Sequence, residues 1–146
     1  YSAWTIANRN TGKLCKTSEV DISSYEIDEP VRLSIPTRFR LPAQFDYKKV
    51  GEKTVKYSDV DMNMHMNNTN YPNMICDFIP EIADSNITSI NLRFMSEGPI
   101  DQTIEVFMAK GDKPLEEDKE AESTYYFKSK VNDKINIEAE IGIKKL

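Results

Sequence analysis

Hydrophobic and polar positions alternate along much of this chain, with one helical interruption. Tyr1, Ala3, Thr5 and Ala7 interleave with Trp4 and Ile6, and Asn10-Thr11-Gly12 carries turn chemistry. Residues 1–16 therefore read as a strand with a turn. Residues 17–45 have no clear period and are punctuated by Pro30, Pro36 and Pro42. That is long for a loop inside a compact domain, so a connector between units is expected. Residues 47–62 read as extended, because Tyr47, Val50, Thr54, Val55, Tyr57 and Val60 are good strand formers. Tyr71, Met74, Ile75, Phe78 and Ile79 then recur at helical spacing. Thr69 or Asn70 can cap that helix, Pro72 is tolerable in its first turn, and Pro80 stops it. Four strands follow, over 86–97, 101–109, 121–131 and 135–145, the last two joined by a hairpin signal at Asn132-Asp133-Lys134. One helix against a mainly antiparallel sheet is an α+β layer.

Composition narrows the class. A chain of 146 residues with 39% hydrophobic and 10% aromatic content can fill one core. No apolar run approaches the ~20 residues of a membrane helix. No signal-peptide pattern opens the chain, and Tyr1 lies inside a strand-like alternation, so a cut or processed N-terminus is expected. Charge is uneven: residues 1–58 carry 10 Lys/Arg against 7 Asp/Glu, and residues 59–146 carry 9 against 17, giving −5 in total. No basic stripe interleaved with aromatics is present, which argues against nucleic acid. Arg38, Arg40, Lys48, Lys49, Lys53 and Lys56 read as a solvated face, with an acidic partner as the alternative. Cys15 and Cys76 have neither metal nor redox spacing, which fits a reducing, cytoplasmic compartment. The Asn67-Asn-Thr69 and Asn86-Ile-Thr88 sequons read as chance matches.

The chemistry concentrates in residues 57–71. This stretch holds the chain's single histidine and packs Asp59, Asp61, Asn63, His65, Asn67 and Asn68 together. If it is extended, Asp61, Asn63 and His65 share one face, with Met62, Met64 and Met66 on the other. A carboxylate and an imidazole near each other can deprotonate a water. An amide can hold the substrate, and a helix start offers free N–H groups to a carbonyl oxygen. The competing reading is an Asx-rich loop that only caps the helix.

Other chemistries fit less well. Asp59-x-Asp61-x-Asn63 opens like a calcium loop, but Met64 and Asn70 stand where that motif needs Gly and Glu. One histidine and no usable cysteine leave a poor metal set, so no metal or cofactor is expected. Cys76 falls within the helix and reads as a small core residue. Glu97, before Gly98-Pro99, reads on its own as a solvated turn residue.

The segment Ser58-Asp-Val-Asp-Met-Asn-Met-His-Met-Asn-Asn-Thr-Asn-Tyr71 resembles the signature of acyl–acyl carrier protein thioesterases, in the second of their two tandem hotdog domains. Leu92-Arg-Phe-Met-Ser-Glu-Gly-Pro-Ile-Asp101 resembles that family's strand end, and Ala3-Trp4 through Gly12 resembles the last strand of its first hotdog. The resemblance implies a hotdog fold over 46–146, a linker over 17–45, and in 1–16 the tail of an otherwise missing first hotdog. It implies catalytic roles for Asp61, Asn63, His65 and Glu97, and substrate contacts at Asn67, Asn68 and Tyr71. Plant members carry Cys after the catalytic Glu, and Gly98 stands there instead, which implies a general-base route through water. The implied partner is acyl carrier protein, and the implied assembly is a pseudo-dimer with the first hotdog or a homo-oligomer. The alternatives are an acyl-CoA hotdog thioesterase and an inactive acyl-binding module.

Overall fold

The computed structural model describes residues 4–24, 40–111 and 120–146. The chain forms two compact units, Tyr1–Ile35 and Pro36–Leu146. In the first, β1 (Ile6–Ala7) pairs antiparallel with β2 (Leu14–Cys15). Asn8 shapes their connection: its Oδ1 accepts the N–H groups of Asn10 at 3.0 Å and Thr11 at 3.1 Å. Gly12 completes the turn in the left-handed region, at φ +66°. The connector expected over 17–45 begins with a 3-10 turn, Thr17–Glu19; residues 25–39, with Pro30, Pro36 and Arg38, lie outside the described residues.

The second unit contains β3 (Lys48–Thr54), α1 (Asn70–Cys76), β4 (Ser85–Phe94), β5 (Thr103–Gly111), β6 (Ser123–Val131) and β7 (Lys134–Lys145). The strands form one antiparallel sheet in the order β3-β5-β6-β7-β4. Alternation puts Ile104, Val106, Tyr125, Phe127, Ile137, Ala139 and Ile141 in one core with Tyr71, Met74, Ile75 and Ile79 from the helical segment. Each fully buried side chain of this kind contributes about 1.5–3 kcal/mol. At the β6–β7 hairpin, Asn132 and Asp133 both take positive φ, 48° and 63°, the pair of left-handed residues a two-residue turn requires.

The helix is shorter than expected. It ends at Cys76, and the chain continues to Ile79 through tighter bonds, Phe78 N–H to Ile75 O at 3.2 Å and Ile79 N–H to Cys76 O at 3.0 Å. Pro80 disfavours helical backbone at the residue before it, so the last turn tightens instead of continuing. Phe78 then packs over β3, where a β-carbon at Gly51 would fall 2.4 Å from its ring.

The extended run expected over 47–62 also stops early, at Thr54. Asp59 is the cause. Its carboxylate accepts the Lys56 N–H at 2.8 Å and draws Tyr57–Asp59 into a 3-10 turn, a side-chain bond that replaces a sheet bond. Among the described residues no helix is long and apolar enough to cross a membrane.

Candidate active site

Residues 60–66 form a tight hairpin rather than an extended row. Val60 bridges Met66, the Asp61 N–H donates to the His65 carbonyl at 3.0 Å, and the Met64 N–H returns to Asp61 O at 3.0 Å. Met64 sits at φ 61°, an uncommon conformation for a non-glycine residue. The alternation of polar and apolar faces therefore fails here. Met66 is buried at 3% exposure while Met62 projects at 94%, so the three methionines share no face.

A second segment locks onto this hairpin. The Met66 N–H donates to Gly98 O at 2.8 Å, and the Ile100 N–H donates to Met64 O at 3.0 Å, with His65 bridging Pro99. This short ladder sets His65 beside Glu97, and Nε2 lies 3.2 Å from Oε2. The imidazole is 32% exposed and the carboxylate 71%, so water reaches both. In the tautomer that donates Nε2–H to Glu97, Nδ1 is left as the acceptor, and the contact fixes the ring.

The other sequence-picked residues divide. Asp61 Oδ1 accepts the Asn63 N–H at 2.8 Å, which shapes the hairpin tip. The Asn63 side chain is exposed, as is Asn68. Asn67 Oδ1 is taken up locally by the Thr69 N–H at 3.0 Å and the Thr69 hydroxyl at 2.9 Å, an Asx turn just ahead of the helix, whose N-cap residue Thr69 makes no side-chain cap bond. Tyr71 is in the core at 2% exposure, edge-on to Phe94 with ring centroids 5.5 Å apart. Burial pushes its phenol up, and a hydrogen bond with Asn136 partly offsets that. Cys76 is partly buried against the core, and burial raises its thiol, which suits packing and not nucleophilic attack.

Asp59 and Asn70 anchor the loop. Asp59 O accepts the Asn67 N–H at 2.9 Å and Asn70 Nδ2 at 3.0 Å. Lys53 Nζ lies 3.0 Å from the Asp59 carboxylate. Burial works to raise that carboxyl, but the Lys56 N–H and the Lys53 ammonium outweigh it and hold it below the ordinary value. The sequence offers Asn70 as a cap for the helix, but no side-chain cap bond forms, and its amide holds Asp59 instead. Beside the hairpin, Tyr57, Val60, Asp61, Met62 and Met64 line a depression of about 330 Å³, with Tyr57 79% exposed.

Among the described residues, one α-helix packed on a five-stranded antiparallel sheet is the hotdog arrangement, and it brings His65, from the loop before the helix, against Glu97, from the turn after β4. The family model "Acyl-ACP thioesterase C-terminal domain" matches residues 43–145, and the chain belongs to that family. Similar solved structures share the fold. An acyl-ACP thioesterase from Bacteroides thetaiotaomicron is 23% identical, with a TM-score of 0.68 over 94% of this chain and 53% of that one. A Lactobacillus plantarum protein described as an oleoyl thioesterase is 20% identical, at 0.68 over 98% and 54%. The 12:0-ACP thioesterase from Umbellularia californica is 19% identical, at 0.71 over 96% and 52%. The chain thus spans about half the length of these proteins. No curated protein matches its sequence.

Proposed function

We propose that this chain is the catalytic half of a thioesterase that hydrolyses acyl–acyl carrier protein, releasing a fatty acid and the free carrier thiol and ending fatty acid synthesis. One observation carries the reading: two segments far apart in sequence meet so that His65 Nε2 lies 3.2 Å from Glu97 Oε2, in reach of water. His65 takes a proton from that water through Nδ1 while Glu97 stabilises the imidazolium. The water oxygen attacks the thioester carbonyl, the C–S bond breaks, and the imidazolium returns its proton to the leaving sulfur. Asn63 and Asn68, exposed on the same loop, hold the carbonyl. Asp61 shapes the hairpin that aims them.

The acyl chain and a second hotdog cover the apolar surface beside this site. Edge strand β4 and its end expose Ile87, Ile90, Phe94 and Met95 at 40–46%, more than a solvated sheet edge usually leaves bare. In this reading the covering partner is the family's first hotdog, residues 1–16 are its tail, and 17–45 is the connector. The deciding assay presents one acyl group on carrier protein and on coenzyme A to the full chain. Preference for carrier protein supports the proposal, and equal or better turnover of the coenzyme A ester overturns the carrier assignment.

A further inference from the structure

Behind Glu97 lies a polar group that the proposed reaction does not use. Asn136, in β7, is completely buried. Its backbone carbonyl accepts both the Met95 N–H at 2.8 Å and the Ser96 N–H at 3.1 Å. Its side-chain Nδ2 donates to Ser96 O at 2.6 Å. Its Oδ1 accepts the Ser129 hydroxyl at 3.1 Å, and Ser129 Oγ in turn accepts the Ile137 N–H at 3.2 Å. Tyr71 completes the group through its bond with the Asn136 side chain. Residue 96 is therefore gripped from β7 through both its N–H and its carbonyl, while residue 98 is gripped by Met66. Glu97 is the residue between these two grips, and its own carboxylate is 71% exposed.

A buried amide that meets its partners on three sides is costly to place and orients what it holds. We propose that Asn136 is a positioning residue: it fixes the 95–97 turn and thereby keeps the Glu97 carboxylate in contact with His65. The proposal rests on the His65–Glu97 reading above and adds to it a residue that touches no substrate. A displacement of about 1 Å at a catalytic group costs on the order of 10²-fold in rate.

The test uses the full chain with Asn136→Ala, Glu97→Gln and wild type, assayed well below their melting temperatures. Because His65 is the only histidine, its Cε1–H gives a single NMR signal that reports the Glu97 contact directly. The expected result for Asn136→Ala is a kcat reduced about 10- to 100-fold with KM nearly unchanged, and a His65 signal moved toward its Glu97→Gln position. If Glu97→Gln is impaired but Asn136→Ala keeps both kcat and the wild-type signal, the positioning role is overturned and the catalytic reading stands. If Glu97→Gln leaves the rate unchanged while Asn136→Ala still moves the signal, the catalytic reading fails and the positioning role survives. Should Asn136→Ala not fold, Ser129→Ala removes only the hydroxyl at the amide's acceptor end. It is expected to lower kcat several-fold and move the signal the same way, and wild-type behaviour in both overturns the proposal.

Discussion

Gly98 is the position where a single methyl group tests the packing beneath the site. Its φ is not positive, so glycine is not required there for backbone conformation. The requirement is space. A β-carbon would fall 2.7 Å from Tyr71 Oη and 3.3 Å from Ile104 Cδ1. Both neighbours are buried, at 2% and 0% exposure, and the Tyr71 ring is wedged edge-on against Phe94, so neither swings away freely. Overpacking of this kind costs about 1–3 kcal/mol. Displacing the phenol from Asn136 adds about 1 kcal/mol. Against these, replacing Gly with Ala restricts the unfolded chain and returns about 0.4–1 kcal/mol. Gly98→Ala is thus expected to destabilise by about 2 kcal/mol net.

Tyr71→Phe alone removes a buried, bonded hydroxyl and is expected to cost about 1 kcal/mol. In the Gly98→Ala background the same change removes the obstructing oxygen. There it should be neutral or stabilising, so the double-mutant cycle shows a coupling of at least about 1 kcal/mol. Equilibrium urea unfolding of the four proteins gives all the terms. A Gly98→Ala protein within about 0.5 kcal/mol of wild type, or two additive changes, would refute the packing argument. Gly98→Cys places a larger group against the same oxygen and should destabilise at least as much.

Other outcomes follow from the site and the surface. His65→Ala should lower kcat by about 10²–10⁴ in the full chain, and adding Glu97→Gln should lower it little further, since the two side chains act as one unit; an unchanged rate in His65→Ala sinks the catalytic assignment. Asp59 is held below its ordinary value when folded, so the folded protein binds that proton more weakly than the unfolded chain does. Its stabilisation is present above the unfolded carboxyl's value, about 3.9, and is lost as pH falls through the lowered folded value. Asp59→Asn should therefore be less stable than wild type at pH 7 and converge with it in strong acid, and a stability gap independent of pH in urea titrations would contradict this. Sedimentation of this chain is expected to show self-association through β4, relieved by Ile90→Lys; a sharp monomer in the unsubstituted chain counts against a covered edge.

The strands were legible because one face of the sheet carries the apolar core and the other is more polar, although Tyr126 and Glu140 on that second face are buried as well, and side-chain alternation writes the difference in polarity into the sequence. Ile137, Ala139 and Ile141 alternate with Glu138 and Glu140, and the core takes the odd set. The helix was legible for the same reason at its own period, and its end was not. Apolar spacing continues to Ile79, while the backbone constraint that ends the α-helix at Cys76 acts from Pro80 backwards.

The site was legible by composition and illegible by geometry. Alternation suggested a flat row of Asp61, Asn63 and His65, but the same short polar side chains that look catalytic also bond their own backbone. Asp59 bends the chain at 56–59, Asp61 caps the turn at 63, and Asn67 holds Thr69. A dense Asp/Asn run therefore predicts a folded loop rather than a strand, and the residues that survive as candidate chemistry are those the loop does not use for itself. Glu97 lies thirty-two positions beyond His65, across the helix and β4, and only the ladder between 64–66 and 98–100 brings it back. No local pattern encodes such a pairing. Asn136 is hidden more deeply still: in sequence it is one polar residue in a strand, on the side of a turn where polar residues are ordinary. Its burial, and so its grip on residue 96, exists only once β7 has paired with β6 and the 95–98 turn has closed over it.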